Sequence, residues 1–155
     1  MKDLSYFAAR LPRSHKEKIE CLQTMARISY YLLVTRAEGF LALALFLEQE
    51  SDPLIKACML DILHAPEQVE LERRFEEYLT AGDYRGKDFL HAVIVLKGFL
   101  LIADLQKLEI LWNELQGCFG TDFTQEYREA FQWEKDNTNR VHETFRWANP
   151  PTLTR

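Results

Sequence analysis

The run of residues 89–101, FLHAVIVLKGFLL, limits the possible folds more than any other stretch of this chain. On a helix over residues 87–104, Phe89, Leu90, Val93, Ile94, Leu96, Leu100 and Leu101 cover most of the circumference. A helix that is apolar nearly all round has to be enclosed by other helices. Only five prolines and six glycines punctuate the 155 residues, and helical periodicity fills the intervals between them. The expected fold is therefore all-α: a single-domain bundle of about six helices, with a long N-terminal helix and the apolar helix at its centre. A membrane span needs about 20 predominantly apolar residues, and a mid-bilayer charge costs at least about 2.5 kcal/mol. Residues 32–47 are broken by Arg36 and Glu38, and residues 89–105 by His91, Lys97 and Asp104. Both windows read as buried helices, not spans.

In order, residues 1–13 read as a lead-in stopped by Pro12, residues 14–147 as the helical core and residues 148–155 as a frayed tail. Ser14 with Glu17 has the spacing of a capping box, in which each side chain satisfies a backbone N–H of the other residue. From there Ile19, Leu22, Ala26, Leu33, Ala37, Phe40, Leu41, Ala44 and Leu47 recur at helical spacing, which predicts one long helix to about residue 50, with a kink near Gly39. Asp52-Pro53 restarts the chain: Asp52 caps, and Pro53 takes the first helical position, where no N–H is needed. A further helix is expected over residues 66–80, with Val69, Leu71, Phe75, Tyr78 and Leu79 inward. Gly82 and Gly86 bracket the next loop. After the apolar helix come one over residues 107–116, ended by Gly117 or Gly120, and a last one from a cap at Asp122 to Trp147. The last helix carries Tyr127, Phe131, Thr138, Val141 and Phe145 on one stripe, with Trp133 and Trp147 on another.

The chemistry-bearing residues are sparse. A net charge of −5 gives no basic face for nucleic acid. Cys21, Cys58 and Cys118 are odd in number and widely spaced, which predicts reduced thiols without zinc or a disulfide framework. The N-terminus has no apolar signal-peptide region, so a cytoplasmic location is expected. His15, His64, His91 and His142 show no metal-ligand spacing, and His91 reads as a hydrogen-bonded core histidine. Phosphate-loop and nucleophile-elbow signatures are absent, so neither a cofactor nor a metal is expected. The run Glu70, Glu72, Arg73, Arg74, Glu76 and Glu77 reads as a solvated helix face with pairs at i,i+4.

Residues 36–53, RAEGFLALALFLEQESDP, carry a family likeness. Arg36, Glu38, Gly39, Phe40, Leu41, Ala42 and Leu43, with Asp52, Pro53, Leu54, Ile55 and Lys56, resemble the cytoplasmic segment that follows the second membrane helix in the MotA-type flagellar stator family, related to TolQ and ExbB. A weaker echo, KGFLLIADLQ around Gly98, is similar to the family's second such segment, so the likeness covers about residues 36–119. It departs at Lys97, where the family has Glu, and in lacking the following Asn-Pro. The resemblance implies a non-catalytic protein-interaction domain that binds a protein partner or itself, and without membrane helices it implies no ion conduction. It also implies a docking turn at Glu48, Glu50, Asp52 and Lys56. Separately from the resemblance, Trp133 and Trp147 lie on one side of the last helix and form an exposed aromatic patch if that side is not the core side. Gly39 and Gly98 would permit close helix crossings, since each costs about 1 kcal/mol inside a helix. The alternative is a helical enzyme or small-ligand binder with a pocket between the first, fourth and sixth helices. A cavity holding His91 with a carboxylate favours that alternative; a continuous charged ridge over residues 48–56 favours the interaction domain.

Overall fold

A computed structural model describes residues 4–137, and every regular element among them is helical. The helices are α1 (Leu4–Arg10), α2 (His15–Glu38), α3 (Leu41–Leu47), α4 (Pro53–Leu63), α5 (Gln68–Gly82), α6 (Lys87–Ala103), α7 (Leu108–Phe119) and α8 (Thr124–Asp136), with a 3-10 turn at Thr121–Phe123. None is long and apolar enough to cross a membrane. The apolar helix sits where its composition requires. Phe89, Leu90, Val93, Ile94, Leu96 and Phe99 of α6 are fully enclosed by α2, α4, α5 and α7.

The bundle has more pieces than expected. Residues 4–10 of the lead-in fold as α1, whose Tyr6 and Phe7 rings pack on Phe89 with centroids 5.8 and 5.5 Å away. The long N-terminal helix is cut in two. Gly39 takes φ +90°, a conformation that side chains resist, and its N–H closes α2 on the Thr35 carbonyl at 2.8 Å. The chain then turns into α3, which folds back on α2 and α4. A Cβ added at Gly39 would meet nothing within 4 Å, so this glycine serves a turn, not a close crossing. Gly98 is the one at a crossing: a Cβ there would lie 2.4 Å from Cγ2 of Ile28 on α2.

The inward stripe of α2 also differs from the expected one. Cys21, Met25, Ile28 and Leu32 are buried, together with polar Lys18, Ser29 and Thr35, while Ile19 is largely exposed. The buried hydroxyls hide this stripe in a hydropathy pattern, yet they are satisfied within the helix: Ser29 donates to the Met25 carbonyl and Thr35 to the Tyr31 carbonyl, both at 2.7 Å. On α5, Leu71, Phe75 and Leu79 face inward four residues apart, which leaves Val69 on the outer side and 75% exposed.

The expected caps form in part. Asp52 accepts from the N–H groups of Leu54 (2.8 Å) and Ile55 (3.4 Å), with Pro53 next in line. Ser14 accepts from Glu17 N–H, but the Glu17 carboxylate leaves the box and takes Lys87 N–H at the start of α6, 2.8 Å away. Asp122 does not cap α8 either; it lies in the 3-10 turn and accepts from the buried Lys18 at 3.2 Å. Tyr127 and Phe131 face inward as expected, Phe131 stacking on Trp112. Thr138, Val141, Phe145 and Trp147 lie outside the described residues.

Candidate functional site

The turn expected to dock a partner is not a ridge of exposed charge. Glu48 is exposed and Lys56 half-buried, but Glu50 is only 4% exposed. Its carboxylate accepts from the Tyr31 hydroxyl, from Arg27 at 3.0 Å and from Asp52 N–H at 3.0 Å. A buried carboxylate needs that many partners, and the two side chains among them, Tyr31 and Arg27, come from α2, out of reach of a local reading. Burial, followed by the Glu50 carboxylate, pushes the Tyr31 phenol well above its ordinary value.

Asp52 turns inward as well. One oxygen caps α4, and the other meets His91 Nε2 at 2.5 Å, while His91 Nδ1 meets Thr24 Oγ1 at 2.8 Å. The hydrogen bond from His91 holds the Asp52 carboxyl below the usual carboxylate range; burial opposes this, and the cap bonds assist. Thr24, His91 and Asp52 therefore tie α2, α6 and α4 together. Both ring nitrogens are hydrogen-bonded to neighbouring side chains, which fixes the orientation of the imidazole.

His91 and Asp52 line a cleft of about 490 Å³ between α4, α5 and α6. Its other walls are Pro53, Leu54 and Ala57 on one side and Tyr78, Ala81, Gly82 and Tyr84 on the other. The expected pocket between the first, fourth and sixth predicted helices is thus displaced toward α4 and α5, and a cavity that holds His91 with a carboxylate is the feature that favours the small-ligand alternative. The Tyr78 hydroxyl donates to Asp61 at 2.6 Å, and Asp61 also holds Arg74 at 3.1 Å. The Tyr84 ring lies against Gly82, where a Cβ would come within 2.2 Å of it.

A second concavity was not legible in the sequence, because three helices build it. Glu72 and Glu76 of α5 form one wall, Glu114 of α7 another, and Leu100 and Leu101 of α6 the floor, with Lys97 and Asp104 beside them. The groove holds about 340 Å³. At Gln68 it meets an apolar groove of about 300 Å³ lined by Phe40, Leu41, Ile62, Leu63 and Leu71. Leu41 there is 79% exposed. The acidic run divides accordingly. Glu70 and Glu77 pair with Arg73, and Glu70 also with Arg74, as i,i+3 and i,i+4 spacing predicts, whereas Glu72 and Glu76 edge the groove.

The remaining sequence-predicted residues stay apart. Arg36 donates to the Leu105 carbonyl and so ties the end of α2 to the turn after α6, while Glu38 is exposed. Trp133 is 59% exposed on α8, and Trp147 lies outside the described residues. The cysteines form no disulfide, and no cluster of three or more metal-ligating side chains occurs among the described residues. No family model, curated protein or solved structure matches the chain. The likeness to the stator segments therefore rests on the residues quoted for it alone.

Proposed function

We propose that this chain is a non-catalytic protein-interaction domain whose partner lays a basic amphipathic helix along the groove of α5, α6 and α7. The charge pattern of the groove carries this reading: an apolar floor at Leu100 and Leu101, carboxylates on both walls, and, among the described residues, Lys97 as the one cation of the lining. An apolar helix face covers such a floor, and lysines or arginines beside that face meet Glu72, Glu76, Asp104 and Glu114. The adjoining apolar groove at Leu41 and Leu63 extends the surface for a longer helix. The stator-like stretch at residues 36–43 contributes Phe40 and Leu41 to that extension, which supports a role in binding and leaves the partner unnamed. Three unpaired thiols support a reducing compartment, the cytoplasm.

The test uses the full chain and a fluorescent model helix of leucine and lysine, read by anisotropy at low and high salt. Glu72→Lys and the distant Glu48→Lys alter net charge equally. Binding should weaken severalfold more for Glu72→Lys than for Glu48→Lys, and added salt should weaken it in the wild type. Leu101→Ser should weaken it without any change of charge. Equal effects of the two reversals would reduce the binding to net charge and end the proposal. A dimer of the free protein that Leu101→Ser dissociates would make a second copy the occupant and equally overturn it.

A further inference from the structure

We propose that the cleft between α4, α5 and α6 is a separate site for a small, uncharged, flat aromatic molecule. Its size falls in the range of small-molecule sites, and its walls are mostly apolar. The acid–base pair of the lining is Asp52 and His91, 2.5 Å apart and satisfied by each other and by Thr24 and the α4 cap. Among the described residues no lysine or arginine lines the cleft. An ionic guest would lose its water and gain no unpaired counter-charge, so the site selects against both signs of charge. Two tyrosine rings and a proline ring among the walls suit a planar π-system. The Tyr78 hydroxyl is committed to Asp61, which leaves that of Tyr84 to offer the guest a hydrogen bond. The wall itself depends on Gly82, since only a residue without Cβ lets the Tyr84 ring lie where it does.

Indole, with tryptamine and indole-3-acetate as its cationic and anionic counterparts, is the probe, and the ring signals of His91, Tyr78 and Tyr84 in the full chain are the NMR readout. Indole should shift these signals in saturable fashion, and both charged analogues should bind several times more weakly. Ala57→Trp should abolish the shifts by filling the cleft. Gly82→Ala, whose helical backbone accepts alanine, should weaken indole severalfold by displacing Tyr84 while leaving the circular dichroism spectrum unchanged. Glu72→Lys should bind indole as the wild type does, because the groove is not involved. Absence of saturable shifts, or full binding by folded Gly82→Ala, would overturn the site. Tighter binding of either charged analogue would overturn the assigned ligand class.

Discussion

Asp52 works in two directions at once: it closes the first turn of α4, and it holds His91, which in turn holds Thr24 on α2. Removing an N-cap costs about 0.5–2 kcal/mol, and Asp52→Ala also leaves the half-buried imidazole without its acceptor. Asp52→Asn keeps much of the cap and loses the charge, so its pH dependence isolates the pair. The folded carboxyl releases its proton more readily than the ordinary value of 3.8. Ionised Asp52 therefore contributes its stability in full above that value and loses it as pH falls below 3.8 through the lowered pKa. The advantage of the wild type over Asp52→Asn, measured by urea denaturation, should be present in mildly acidic buffer and gone in strong acid. An advantage that persists unchanged in strong acid would show that the pair contributes nothing through its charge. The cap was legible from Ser51-Asp52-Pro53 because capping is a local pattern. The pairing with His91 was not, since its partners stand 39 and 67 residues away.

At the scale of the element, two glycines that look alike in sequence do opposite work. Gly39 ends α2 with a φ of +90° in open space, whereas Gly98 lets α6 approach Ile28 of α2. Gly39→Ala should cost about 1–3 kcal/mol through backbone strain alone, and truncating a neighbour should not restore it. Gly98→Leu should cost about 1–3 kcal/mol by overpacking. Ile28→Ala, which opens space at that crossing, should recover part of the loss, so a double-mutant cycle read by urea denaturation should show favourable coupling. Strict additivity at Gly98 and Ile28 would remove the close crossing as the reason for the glycine. Residue identity tells only that a glycine is tolerated; whether the backbone or the neighbour demands it is decided by what packs there. For the same reason the helices were easier to place than their inward faces. On α2 the buried stripe includes Lys18, Ser29 and Thr35, whose polarity points outward until their partners are known.

In the whole molecule, α6 packs against α2, α4, α5 and α7 and buries ten of its residues, while α1 buries no residue completely. Amides of α6 near Val93 to Leu96 should exchange with solvent only when the entire bundle opens, and those of α1 far sooner through local fraying. Native-state hydrogen exchange measures both rates, and equal rates would contradict the central place of α6. That place was legible from composition alone, because no other position suits a helix apolar all round. The groove and the cleft were not, since each is assembled from helices whose own patterns describe only ordinary solvated or buried faces. The pairing of α2 with α6 also has a consequence for how the protein is made. Thr24 and His91, which meet across that interface, are 67 residues apart, so the apolar side of α2 leaves the ribosome long before its cover does. At translation rates of about 5–20 residues per second, that face waits several seconds for α6 to emerge, which makes the nascent chain, before the bundle closes, the form of this protein most in need of a chaperone.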